Sequence, residues 1–116
     1  MKPFPEDYEL IGFFEAEPKV LDLSIPWFYN RLEFEVVRDT DRVECVIEPS
    51  DRILQFRWTR IGQGLVSLDL YNVEGLRLER ERGRECLVGA FDSELGEVRL
   101  YLRPQIQLLV CRDAGP

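Results

Sequence analysis

The side chains that could do chemistry in this chain are carboxylates. It carries 22 Asp and Glu residues among 116, against 15 Lys and Arg, and it has no histidine. Two carboxylates about 5–10 Å apart can run glycoside hydrolysis when their cleft raises the pKa of one of them. Glu33 with Glu35, and Glu44 with Glu48, would share a strand face at suitable spacing. These positions alternate with apolar residues, so the carboxylates should face water, and a solvated polar face is the better reading. No run of oxygen ligands of the EF-hand kind is present for Ca²⁺ or Mg²⁺. Asp39 and Asp41 flank a turn, where Asp is favoured because its side chain bonds to nearby backbone.

Other chemistries have less to work with. Without histidine the chain lacks the usual neutral-pH base and the commonest metal ligand. Ser24, Ser50, Ser67 and Ser93 have no histidine partner, and none sits in a nucleophile elbow. Gly62-Gln63-Gly64 is too short for a phosphate loop and reads as a hairpin turn. Cys45, Cys86 and Cys111 are an odd number with no Cys-x-x-Cys spacing, so a closed disulfide framework is not expected. Cys45 and Cys86 fall in apolar runs, where free cysteine behaves as a small buried hydrophobe. Reduced thiols fit a cytoplasmic protein. No catalytic residue, cofactor site or metal site is predicted.

The formal net charge is −7. Residues 1–50 hold 12 acidic and 5 basic side chains, while residues 51–116 hold 10 of each, so the whole excess lies in the first half. That balance argues against nucleic acid, which needs a basic surface to displace counterions, and against anionic lipid. It serves solubility, and it also suits an acidic face that steers a basic protein partner. Arg77, Arg80, Arg82 and Arg84 are interleaved with Glu79, Glu81 and Glu85, a pattern that predicts ion pairs on an exposed hairpin. No apolar signal core follows Lys2, and no stretch approaches the roughly 20 apolar residues of a membrane span.

The elements that must position these groups are strands. Leu32, Phe34 and Val36 alternate with Glu33 and Glu35. The same period of two recurs at Val43/Cys45/Ile47, Leu54/Phe56/Trp58, Val66/Leu68/Leu70, Leu76/Leu78 and Val98/Leu100/Leu102. Turn-like spacers lie at 38–42, 48–51, 62–64, 81–84 and 92–96, and Pro104 separates the last two strands. This predicts an all-β domain, an antiparallel meander over residues 31–111 that forms a sandwich or partly open barrel with little helix. The more apolar runs at 85–91 and 105–111 are expected to be buried on both faces or covered by the N-terminal segment. Residues 1–30 hold four of the seven prolines and are expected to pack on the meander, making residues 1–116 a single domain. Tyr8–Glu15 reads as a strand and residues 21–24 as ambiguous.

Trp27, Phe28 and Tyr29 follow Pro26 directly. In a strand they would place large rings on both sides of the chain, and only one side can face a core. Two of the rings would then plug an end of the sandwich, or they would anchor a partner, since Trp and Tyr supply rigid contact area. With the acidic residues Glu9, Glu15 and Glu17 they form the candidate protein-binding site.

The order of features resembles small immunity proteins that protect bacteria from polymorphic toxins. The resemblance is carried by Trp27-Phe28-Tyr29-Asn30 before the first hairpin, by the meander that follows, and by the apolar spacing Leu70-x-x-Val73-x-x-Leu76-x-Leu78. Where that family has His-Asp after the Phe, this chain has Tyr29-Asn30. The resemblance implies a cytoplasmic bacterial inhibitor without enzymatic activity, which binds a toxin domain tightly. The alternatives are a β-domain with an internal apolar cavity for a small ligand and, behind it, a hydrolase using carboxylates alone.

Overall fold

The structure is a computed structural model that describes residues 4–91 and 96–111. Its strands form two antiparallel sheets. The first contains β1 (Lys19–Val20), β2 (Leu32–Arg38), β3 (Asp41–Glu48), β4 (Ile53–Arg60) and β5 (Gln63–Leu70). The second contains β6 (Val73–Glu81), β7 (Arg84–Phe91), β8 (Glu97–Tyr101) and β9 (Gln107–Cys111). Every strand pairs with its sequence neighbour except at the step from β5 to β6. The chain is therefore an all-β meander broken once, at Tyr71-Asn72. Asn72 takes a positive φ of 60°, and the Val73 N–H donates to the Arg52 carbonyl at 3.0 Å, which starts the second sheet.

The turn expected at 62–64 forms one residue earlier, at Ile61-Gly62, with Gln63 and Gly64 already in β5, and the turn expected at 81–84 forms at Arg82-Gly83. Ile61-Gly62 and Arg82-Gly83 both have positive φ at both central residues, as a two-residue turn of the primed type requires. The expected turn at 92–96 falls largely on residues 92–95, outside the described residues.

The two sheets bury the predicted faces against each other. Leu32, Phe34, Val43, Cys45, Ile47, Leu54 and Phe56 enter the core from the first sheet, and Leu76, Leu87 and Leu100 from the second. Leu78, Leu87, Leu100 and Leu108 stand in register as one row across the second sheet. Gly89 lies where a side chain would crowd the facing sheet, because a Cβ there would sit 3.2 Å from Leu54 Cδ2. The apolar space between the sheets, lined by Cys45, Leu54, Phe56, Leu70, Leu87, Val98, Leu100 and Leu108, is only about 10 Å³.

Two expectations are corrected here. Tyr8–Glu15 is not a strand: Asp7–Phe14 is an α-helix, α1. The Glu6 N–H donates to the Glu9 carboxylate at 3.0 Å, and Asp7 and Glu9 lie in the first turn, where acidic residues suit the helix dipole. Leu10, Phe13 and Phe14 fall at i, i+3 and i+4, so one face of the helix enters the core. The second correction concerns β9. Leu109 and Val110 are 45% and 57% exposed, because β9 is the edge of its sheet and nothing described covers it. By contrast, β7 is buried on both faces: Leu87 points into the core, while Cys86 and Val88 are buried on the other side.

Candidate functional site

Two surfaces concentrate polar chemistry. The first is the outer face of the first sheet. There the strand parity that buries Phe34, Cys45 and Phe56 turns Glu33, Glu35, Glu44, Glu48, Arg57 and Asp69 outward. Together with Glu17, Lys19, Arg31 and Arg42 they line or border a depression of about 460 Å³. Arg31 pairs with Glu33 at 3.0 Å and Glu48 at 3.9 Å, Arg42 with Glu35 at 2.6 Å and Glu44 at 3.3 Å, and Arg57 with Asp69 at 2.6 Å. Six carboxylates against four cations leave this face at −2.

The second surface is the outer face of the second sheet, where Arg77, Glu79, Arg99 and Glu97 close a ring. Arg77 reaches Glu79 and Glu97 at 2.7 Å each, and Arg99 reaches Glu79 at 3.0 Å and Glu97 at 2.8 Å. Val88, fully buried, lies between Arg77 and Arg99 in the register, and Cys86 lies beside it. The ring thus covers the apolar outer face of β7. Next to it the Arg84 guanidinium stacks over the Tyr101 ring at 4.2 Å.

The ring makes stability depend on acid. Hydrogen bonds from Arg77, foremost, and the charges of Arg77 and Arg99 hold the Glu79 and Glu97 carboxyls below the usual carboxylate range. A carboxyl whose folded pKa is depressed adds stability above its unfolded pKa of about 4.3, and that stability disappears as pH falls through the lower folded value. Both side chains are about one-third exposed, 33% and 30%, so solvent screening limits the combined effect to about 1 kcal/mol. Urea unfolding at several pH values between 6 and about 3 should show wild type losing more stability than Glu97→Gln. Identical pH profiles for the two proteins would show that the ring is not linked to folding.

The predicted binding residues are not brought together. Trp27, Phe28 and Tyr29 form one turn of 3₁₀ helix rather than a strand. Trp27 is half-buried against the core, with its ring centroid 5.0 Å from that of Phe4. Phe28 stands edge-on to Phe4 at 6.0 Å, and its carbonyl accepts the Ser50 N–H at 3.1 Å. Only Tyr29 faces water, at 66% exposure. Trp27 therefore packs on the core, Phe28 meets Phe4 and Trp27 edge-on, and Tyr29 remains outside. The carboxylates also disperse. Glu9 lines a groove between α1 and the β6–β7 hairpin with Tyr8, Gly12, Leu78, Arg80 and Glu85. Glu15 ends α1 in a left-handed conformation and pairs with Arg103 at 2.6 Å. Glu17 lines the depression on the first sheet.

Sequence reasoning passed over the segment before the aromatics. Leu21, Leu23 and Ile25 are exposed, and Asn30, at 3%, is a buried polar residue that binds the segment's backbone. The signal lay in Leu21-Asp22-Leu23-Ser24-Ile25, an alternation with no strand partner in sequence range. Among the described residues, no group of three or more Asp, Glu or Cys side chains is placed to hold a metal ion. No described helix is long and apolar enough to cross a membrane.

No protein-family model matches this sequence, and no curated protein matches it. In structure the chain is similar to a chain of the contact-dependent growth inhibition toxin–immunity protein complex from Klebsiella pneumoniae 342, with a TM-score of 0.78 at 15% identity. The match covers 93% of this chain and 94% of that one. The all-β fold is thus shared over nearly the whole length with a chain of that complex.

Proposed function

We propose that this protein is a bacterial, cytoplasmic, non-enzymatic binding module that neutralises a basic toxin domain by occupying it. The observation that carries this reading is the near full-length fold match to a chain of a toxin–immunity protein complex. The electrostatics support it: the net charge is −7, and the ion-paired outer face of the first sheet still retains an acidic excess. Such a face attracts a basic partner and raises its association rate.

The competing readings have less support. A pocket for a small apolar ligand needs about 300 Å³ or more, and the space between the sheets is about 10 Å³. A carboxylate hydrolase needs an acid of raised pKa. Asp22, Asp41, Glu79 and Glu97 are instead all shifted downward, by hydrogen bonds from Ser24, Arg60 and, for the last two, Arg77.

The test begins in the genome, where this reading expects a toxin gene beside this one, and it uses the domain which that gene encodes. Co-expression should restore growth of cells making that toxin, and the purified pair should associate about tenfold or more slowly as salt is raised from 0.05 to 0.5 M, because attraction is screened over about 10 Å at 0.1 M. A toxin that stays lethal and does not bind would reject the proposal, and binding with a salt-independent rate would reject the acidic steering face.

A further inference from the structure

Between β1 and the 3₁₀ turn the chain holds apolar side chains out in water. Leu21 is 74% exposed, Leu23 91% and Ile25 39%, and Tyr29 closes the same stretch. A short segment with this composition lowers its free energy by folding its side chains onto the protein, at roughly 25 cal/mol per Å² of apolar area removed from water. Here the backbone is fixed in the opposite sense.

The device that fixes it is Asn30. Its Nδ2 donates to the Asp22 carbonyl at 2.6 Å and to the Ile25 carbonyl at 3.2 Å. Its Oδ1 accepts the Asp22 N–H at 3.1 Å and the Arg31 N–H at 3.0 Å. A buried amide thus uses both donors and both lone pairs, and three of the four bonds go to the segment it faces. Within the segment the Asp22 carboxylate accepts the Ser24 N–H at 2.9 Å and the Ser24 hydroxyl at 2.7 Å. The Leu21 N–H donates to the Arg31 carbonyl at 3.1 Å, tying the near end to the strand entry. A loop already ordered in this way loses little further entropy when a partner covers it.

The surroundings specify the charge of what covers it. Asp22 stands in the loop, and Glu17 and Lys19 precede it. Arg31 and Glu33 follow it, with Glu48 paired to Arg31. Four carboxylates against two cations leave this rim at −2, and both carboxylates nearest Arg31 already share its charge. An apolar knob inside an acidic rim is complementary to an apolar socket rimmed by Lys and Arg, a fully desolvated centre with a polar edge.

We propose that residues 21–25 are the knob by which this protein docks on its basic protein partner, with Leu23 as the anchor and Asn30 as the residue that holds the knob in shape. This assigns the dominant contact to Leu23 instead of to Trp27, whose ring closes the end of the core. It rests on the reading that the protein binds a basic toxin domain, and the experiment separates the two.

The probe is the domain of the toxin that the proposed function expects to be encoded beside the gene, purified as an inactive variant and titrated against wild type, Leu23→Asp, Asn30→Ala and Ile61→Asp. Ile61 is the control, an apolar side chain 77% exposed at the β4–β5 hairpin tip. Leu23→Asp should weaken binding by about 30-fold or more, mainly through faster dissociation, with an unchanged melting temperature. Asn30→Ala should weaken binding although residues 21–25 keep their sequence, because the bonds that fix their backbone are lost, and Ile61→Asp should bind within about threefold of wild type. If wild type binds and folded Leu23→Asp binds equally well, the knob is wrong and the binding function stands. If Ile61→Asp loses as much affinity as Leu23→Asp, docking lies elsewhere and the knob is again rejected. If wild type does not bind, the functional reading itself fails. Should Asn30→Ala unfold, the Leu23 comparison still decides the question.

Discussion

Phe14→Ala is expected to destabilise the protein by about 3–5 kcal/mol, the range for deleting a buried aromatic ring. Phe14 is 2% exposed, its ring stacks on Phe34 with centroids 4.4 Å apart, and it meets Phe13 edge-on at 5.0 Å. Both phenylalanine rings of α1 enter the core formed by the two sheets, so the truncation leaves a void where helix and sheets meet. An eight-residue helix has little stability of its own, so undocking α1 should also melt it. Urea unfolding followed by tryptophan fluorescence measures the loss, and Phe14→Leu should lose well under half as much because most of the volume is kept. A loss below about 1 kcal/mol for Phe14→Ala would mean that α1 is not part of the cooperative core.

Cys45 should be nearly inert to thiol reagents in the native protein. It is 1% exposed in the centre of β3, and burial pushes its thiol up to about 12 from an ordinary 9.0. Near pH 8 a shift of that size leaves about a thousandfold less thiolate, and the thiolate is the reactive form. Alkylation read by peptide mass spectrometry should therefore be slower in the native protein than in urea by about three orders of magnitude or more. Labelling of native Cys45 within about tenfold of the unfolded rate would show that β3 presents its other face to the core. Cys86 offers an internal comparison. It is also buried, but beneath the ion ring, with Arg99 Nη1 4.0 Å from its sulfur, so opening the ring should expose Cys86 before Cys45. The thiol of Cys111 lies outside the described side chains.

The parts of this molecule that could be read from the chain are those fixed by neighbours within a few residues. Val43, Cys45 and Ile47 face inward because successive side chains of a strand point to opposite sides. The Ile61-Gly62 and Arg82-Gly83 turns follow from the backbone conformations that two-residue hairpins demand. The sheet change after Leu70 is not local. It depends on Val73 bonding to Arg52, twenty-one residues back, instead of continuing along β5.

The misreadings have the same cause. Tyr8 to Glu15 is rich in aromatic and branched residues that suit strands, yet the spacing of Leu10, Phe13 and Phe14 suits a helix equally well. The core surface waiting between the sheets selects the helix, since that form buries all three side chains at once. At β7 the chain displays an apolar run, but the cover over Cys86 and Val88 is assembled from Arg77, Glu79, Glu97 and Arg99, which come from two other strands.

The candidate site shows the division most sharply. The sequence by itself determined the all-β class, the strand faces, the acidic first half and the concentration of aromatics at 27–29, because each is a property of composition or of period two. Which hydrophobic side chains stay in water was decided only by the tertiary structure. Trp27 packs against the core and beside Phe4, while Leu21 and Leu23, no more polar in composition, stand outside. The physical reason is that exposure depends on where the backbone is held, and here the backbone of residues 22–25 is held by the side chain of Asn30, five to eight residues further on and itself buried.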